Sequence, residues 1–190
     1  VTPDNGTLTL IANSLGIDTI RYIDEAINRR KNTSASYTFH GRDVYAYTAA
    51  RLAAHKIKFE EVGPINNQAI VEIPYQKAIL DNKTLKGNIS ILDIQYGNLW
   101  TNINVDIWNI FSAIPHSKNK LHVQFLYKGK FVKESTMPFE NTFGAVAIGQ
   151  PLAYLNSLMQ LSFALNQKNM AETYHLGTGS DWAVWIKWEK

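Results

Sequence analysis

Leu121-His122-Val123-Gln124-Phe125-Leu126-Tyr127-Lys128-Gly129-Lys130-Phe131-Val132-Lys133-Glu134 is the stretch on which the fold turns. Apolar residues at 121, 123 and 125 alternate with polar ones at 122 and 124, the two-residue period of a half-buried strand. Lys128-Gly129-Lys130 has the character of a hairpin turn, where glycine supplies a backbone conformation that other residues resist. Strands over residues 121–127 and 131–134 are therefore expected to be antiparallel neighbours. The same period extends outward. Residues 69–75, 85–93 and 182–188 read as strands, the last alternating Trp, Val, Ile and Lys. One helix is expected to interrupt them over residues 151–166, with Pro151 in its first turn.

Upstream the pattern changes. Residues 7–13 fit either a strand or a first helical turn. Asp18 is placed to cap a short helix carrying Ile20, Ile23 and Ile27 on one side. After a polar loop at 32–36, residues 42–55 form the strongest helix signal, with an Ala-rich stretch at 46–54 of high helix propensity and Asp43 well placed in the first turn. A boundary near Gly63-Pro64 divides a helical N-terminal piece, residues 1–62, from an antiparallel β domain, residues 63–190. Val1-Thr2-Pro3-Asp4-Asn5-Gly6 reads as the end of a strand entering a turn, so an upstream portion of the protein is expected.

Composition narrows the function classes. Hydrophobic residues make up 45% of the 190, enough for a real core, and charged residues only 18%, too few for a disordered chain. The net charge of +3 is mild, and the one basic run, Arg29-Arg30-Lys31, suits a solvated loop better than a nucleic-acid surface. With no cysteine there is neither a disulfide framework nor a thiolate metal site, which favours a reducing, cytoplasmic setting. No apolar run approaches the roughly 18 residues of a membrane span. None of the five histidines stands four residues from an acidic partner in a zinc-hydrolase pattern, so no metal is expected. No Gly-x-Ser-x-Gly elbow occurs, and Gly177-Thr178-Gly179 is a turn rather than a phosphate loop.

Two places carry chemistry. His40, in Thr38-Phe39-His40-Gly41-Arg42-Asp43, opens a helix, where the imidazolium is disfavoured and a neutral ring can take a proton or orient a water. A histidine that merely caps the helix would give the same pattern. Asp93-Ile94-Gln95-Tyr96-Gly97-Asn98-Leu99-Trp100-Thr101-Asn102 gathers an acid, two aromatics and three amides around one glycine after an expected strand. Asn can read a base edge, aromatics can stack on it, and a carboxylate can take an ammonium or ribose hydroxyls. A β-turn with Trp100 in the core is the competing reading.

Several segments together resemble one family. Pro3-Asp4-Asn5-Gly6-Thr7-Leu8-Thr9, the Thr38–Asp43 segment with its Ala-rich helix, Asp93 through Ile103, Gly149-Gln150-Pro151-Leu152-Ala153-Tyr154-Leu155-Asn156-Ser157 and Asn166-Gln167-Lys168-Asn169-Met170-Ala171 occur in the order found in the S-adenosylmethionine (SAM) hydroxide adenosyltransferases, which are related to SAM-dependent fluorinases and chlorinases. The resemblance implies the tail of an N-terminal α/β domain followed by an antiparallel β-barrel-like C-terminal domain. It also implies homotrimers with sites between subunits.

The implied reaction is attack at C5′ of SAM, with methionine leaving. Halogenating members lack the His of the His-Gly-Arg-Asp segment, so His40 points to the hydrolytic type, which gives adenosine and L-methionine from SAM and water. No cofactor is implied, since SAM is the substrate. By the resemblance His40 is catalytic, as part of an Asp-Arg-His set whose Asp and Arg lie in a segment that this sequence does not contain. Asp93 and Ser157 would hold the methionine amino end, Tyr96 and Phe143 would surround the adenosyl group, Asn98 would read adenine, Trp100 would edge the site and Phe39 would lie beside the ligand. Leu158 and Leu165 stand where fluorinases have Arg. Two rivals stay open: a SAM- or adenosine-binding module without turnover, and a halogenase.

Overall fold

The computed structural model describes residues 1–189, which divide into two compact units, Val1–Pro74 and the part from Tyr75 onward. The first unit is irregular and helical. Helix α1 (Thr9–Leu15) follows the Asp-Asn-Gly turn, whose Gly6 carbonyl accepts from the Thr9 amide and hydroxyl at 3.0 and 2.7 Å. Residues 7–13 therefore resolve as a turn and helix.

The helix expected from Asp18 does not form. Residues 20–24 are extended and pair instead with residues 62–66: Tyr22 N donates to Pro64 O at 3.0 Å, Asp24 N to Val62 O at 2.8 Å and Asn66 N to Ile20 O at 2.8 Å. The cap is Asp24, whose carboxylate accepts from Ala26 N at 3.0 Å and starts the short helix α2 (Glu25–Asn28). The isoleucine spacing misleads here because Ile27 faces solvent.

The strong helix signal holds, in a changed form. A π-helical turn, Gly41–Ala46, runs directly into α3 (Tyr47–Ala53). The strand expected over residues 69–75 makes no ladder. Its amides are taken by side chains, Val71 N by Asp4 Oδ1 at 2.8 Å and Ile73 N by Thr9 Oγ1 at 3.0 Å.

The second unit is an antiparallel sheet curled into a nearly closed barrel. Its strands are β1 (Ile79–Asp81), β2 (Thr84–Asp93), β3 (Asn98–Asn104), β4 (Lys120–Tyr127), β5 (Lys130–Pro138), β6 (Pro151–Leu155), β7 (Gln160–Leu165) and β8 (Trp182–Trp188). The order is β5-β4-β8-β2-β3-β7-β6, with β1 on β2. The β4–β5 hairpin turns at Lys128-Gly129, both with positive φ, and β8 pairs β4 along its whole length. The ends approach where Phe139 bridges Ala153 in parallel and Glu140 N donates to Ala153 O at 2.9 Å.

The inward positions are the alternating apolar ones: Leu85 and Ile89, Leu99 and Ile103, Val123 and Phe125, Val184 and Ile186, and Phe163 are all fully buried. Each contributes about 1.5–3 kcal/mol of burial. Helix α4 (Val105–Ser112), capped by Asn104 Oδ1 accepting from Ile107 N at 3.1 Å, lays Trp108 and Phe111 against this core.

The helix expected over residues 151–166 is replaced by the hairpin β6–β7. Asn156 breaks the run: its Oδ1 accepts from Leu158 N at 2.9 Å and Gln160 N at 3.1 Å, and Met159 takes φ +57°. A tight turn between two five- or six-residue strands wins because both strands find ladder partners, β7 on β3 and β6 on β7. Among the described residues no helix is long and apolar enough to cross a membrane.

Candidate functional site

The second unit holds an open cavity of about 830 Å³. Its floor comes from the turn joining β2 to β3. Asp93 ends β2, and its backbone carbonyl accepts from Gly97 N at 2.6 Å and Tyr96 N at 3.2 Å, folding the chain back at once. Its carboxylate accepts from Gln95 N at 3.2 Å and lies 3.4 Å from Asn98 Nδ2. The acid and the buried amide are thus fixed side by side on the cavity wall.

Gly97 is required at this turn. It has φ +71°, and a Cβ there would fall 2.0 Å from Asn169 Oδ1 and 2.6 Å from Asn169 Cα. Its carbonyl accepts from Met170 N and Ala171 N at 3.1 and 3.0 Å, docking the start of helix α5 (Met170–Tyr174) onto the turn. Asn169 caps that helix through Glu172 N at 2.9 Å. The segment 165–169, which closes another side of the cavity, is thereby tied to the Asp93–Asn98 turn.

Tyr96 and Phe143 supply apolar faces and stay partly open to solvent, as a wall waiting for a flat ligand would. Phe143 packs on Tyr154 with ring centroids 5.0 Å apart. Tyr154 also lines the cavity. Burial raises its hydroxyl above the usual tyrosine range of 10.0; the N–H of Trp100 opposes this, the Asp93 charge adds to it, and the Asn98 amide opposes it. Tyr154 therefore enters as a neutral O–H.

The strand register explains this grouping. Trp100, Ser162 and Tyr154 form one cross-strand row, and Leu99, Phe163 and Ala153, all buried, form the next row on the core face. The Trp100 indole N–H is buried without a hydrogen bond of normal geometry.

Of the residues singled out in the sequence, Asp93, Tyr96, Asn98 and Phe143 come together on this cavity. Trp100 stands in the row beside it. Ser157 is exposed in the β6–β7 turn and does not line the cavity. Tyr154, Gln95, Lys168 and Asn169 line it without having been foreseen as site residues. The amide-rich run Asn166-Gln167-Lys168-Asn169 between an apolar strand and a helix was the available signal.

Phe39 and His40 belong to the first unit. His40 immediately precedes the π-helical turn and makes no capping hydrogen bond with its side chain. Its Nε2 lies 3.7 Å from Glu25 Oε1, and Tyr37 meets its ring edge-on at 5.0 Å between centroids. Glu25 is itself bound by Arg29, whose Nε donates to Oε2 at 3.0 Å. The neighbouring Arg42 and Asp43 do not face this group as partners. They pair with each other, Nε and Nη2 donating at 2.7 and 2.8 Å. The Asp43 carboxylate is fully buried, and the hydrogen bond from Arg42 holds it below its usual range. Among the described residues no group of three or more His, Asp or Glu is arranged to hold a metal.

Comparison with known proteins agrees with these segments. Residues 1–63 match the family model for the SAM hydroxide adenosyltransferase N-terminal domain, and residues 87–183 that for its C-terminal domain. A fluorinase of Actinopolyspora mzabensis is 30% identical over 189 residues, covering 94% of this chain and 58% of that protein. An (R)-S-adenosyl-L-methionine hydrolase of Methanocaldococcus jannaschii is 35% identical over 136 residues, covering 70% and 44%. The crystal structure of an uncharacterized conserved protein from Thermotoga maritima superposes with a TM-score of 0.72 at 29% identity, covering 97% of this chain and 65% of that one. The match thus spans 58% of the length of the first of these curated relatives and 44% of the second.

Proposed function

We propose, from the premise that this chain belongs to the SAM hydroxide adenosyltransferase family, that the protein hydrolyses SAM to adenosine and L-methionine. The observation that carries the reading is the convergence of Asp93, Tyr96, Asn98 and Phe143 on one cavity. An anion for an ammonium, an amide for a base edge and two aromatic faces are the complement of an amino-acid nucleoside. The cavity volume lies within the range of small-molecule sites, about 300–1,000 Å³.

In the proposed reaction a water oxygen forms a bond to C5′ as the C5′–S bond breaks. The sulfur keeps the electron pair and leaves as the neutral thioether of methionine, while His40 takes the proton released by the water. The sulfonium is already a good leaving group, so the protein's main task is to align the water and the carbon. Tyr154, kept protonated by burial, can donate to the ligand or hold Asn98 in place. His40 favours water over halide as nucleophile. The relatives include both chemistries by name, and the histidine is what separates them in this reading. We also read residues 1–62 as the end of an α/β domain, the working form as a homotrimer and the setting as cytoplasmic.

Incubating the complete gene product with SAM and separating the products tests this. Adenosine and methionine in equal amounts are expected, and His40→Ala should lower turnover by about 10²–10⁴-fold, the usual share of a general base, with a smaller change in SAM affinity. A 5′-halo-adenosine formed in halide buffer would move the reading to halogenation. Tight SAM binding with no product would leave only a binding module.

A further inference from the structure

We propose that Glu25, held by Arg29, is a positioning residue for His40. Its carboxylate accepts from Nε2–H of the imidazole and so leaves Nδ1 as the nitrogen that takes the proton of the attacking water. The chemistry rests on the hydrolase reading above; the residues rest on the geometry of the first unit alone.

The two oxygens of Glu25 are divided between two partners. Oε2 accepts from Nε of Arg29 at 3.0 Å and from its Nη2, while Oε1 faces Nε2 of His40 at 3.7 Å. Asp24 caps α2 and sets the direction in which Glu25 leaves the chain, and Arg29 follows one turn later on the same face. The guanidinium is in turn fixed by stacking on the Tyr37 ring, 4.4 Å from its centroid, and Tyr37 meets the His40 ring edge-on. The Arg29 side chain is only 11% exposed, so its pairing with Glu25 is not a loose surface contact. Glu25, Arg29, Tyr37 and His40 therefore brace one another in a closed group.

A separation of 3.7 Å is longer than a made hydrogen bond. Hydrogen bonds of catalytic groups are often long before substrate binds and tighten in the complex. Imidazole in its neutral form carries one N–H, so whichever nitrogen faces a carboxylate becomes the donor and the other the base. When Nδ1 takes the water proton, the imidazolium formed still donates from Nε2 to Glu25, and no further proton has to move. Arg42 and Asp43, the charged pair nearest in sequence, bind each other rather than His40.

Two readouts on the complete gene product test the proposal: two-bond proton–nitrogen NMR of the His40 ring, and steady-state turnover of SAM. Wild type should show the Nε2–H tautomer, and Glu25→Ala a mixture. Glu25→Ala should lower kcat by about 10- to 100-fold, the size expected for a charge-assisted hydrogen bond, with KM changed less than about twofold. Glu25→Gln should recover part of the rate, because the amide oxygen still accepts from Nε2–H. An unchanged tautomer and rate in Glu25→Ala would overturn the proposal. Turnover that depends on His40 and not on Glu25 would remove the proposal and leave the hydrolase reading. A Glu25-dependent tautomer in a protein that makes no adenosine would keep the pairing and remove the hydrolase reading.

Discussion

Asp43 shows what a single buried charge imposes on this protein. Its carboxylate is fully buried, accepts two hydrogen bonds from Arg42 and is drawn further down by the charges of Arg30 and Arg29. A carboxylate held below its ordinary value of 3.8 stabilises the fold wherever it is ionised, and this stabilisation is lost as pH falls through the depressed folded value. The first unit should therefore be steady near neutrality and lose stability below about pH 4. Asp43→Asn should be less stable than wild type at pH 7 and show a flatter acid limb. Thermal melts at pH 2 to 7 on both proteins check this, and parallel acid limbs would contradict it. The sequence placed Asp43 in the first turn of a helix, a mild role. Its burial and its pairing depend on the π-helical turn at Gly41–Ala46, which residue spacing does not announce. Glu25 and Arg29 were hidden for a similar reason. Their i, i+4 spacing was visible, but the approach of His40 depends on the path of the chain between residues 29 and 40.

At the scale of elements, legibility followed the uniqueness of the period. Strands β2, β4 and β8 could be read from their apolar periodicity, and β4 and β5 sit where the hairpin reading puts them. Pro151 to Asn166 misled because its apolar residues fit both periods. The deciding residue is Asn156, which is buried and closes the β6–β7 turn through two side-chain hydrogen bonds. Removing that acceptor leaves the Leu158 and Gln160 amides without a partner. Asn156→Ala should cost about 1–2 kcal/mol, within the range for unsatisfied donors. It should lower the urea midpoint without changing the slope, since the surface exposed on unfolding stays the same. A loss below a few tenths of a kcal/mol would mean that the strands, not the turn, select the hairpin. The candidate cavity was partly legible for a related reason. Asp93, Tyr96 and Asn98 are close in sequence and lie in one turn, while Tyr154 reaches it only through the β3–β7–β6 register and Lys168 only through the docking of the α5 start on Gly97.

On the largest scale, the barrel of the second unit closes where Phe139 and Glu140, just past β5, meet Ala153 of β6. Seven strands are joined by ladders from β5 round to β6, and the remaining gap is spanned by the bridge of Phe139 to Ala153. Phe139 adds a side-chain anchor to that backbone bridge. Its ring stacks on Trp108 of α4 at 4.6 Å and an interplanar angle of 26°, and Trp108 continues into Phe111 and Trp188. The chain then runs from Phe139 to Phe143, which lines the cavity and packs on Tyr154. Closure and site are therefore coupled through four residues of backbone. Phe139→Ala should destabilise the unit by about 2–3 kcal/mol, less than the ~3–5 kcal/mol of a fully buried phenylalanine because the ring is only partly enclosed. Under the proposed reading of the cavity it should also weaken binding of adenosine or SAM, because Phe143 loses its fixed approach to the cavity. Phe139→Leu keeps apolar volume without the stack and should recover most of the stability. Calorimetric melting and ligand titration on the two variants separate the effects. If binding survives Phe139→Ala intact while stability falls, the cavity is held by the Asp93–Asn98 turn and the α5 start alone, and barrel closure serves only the fold.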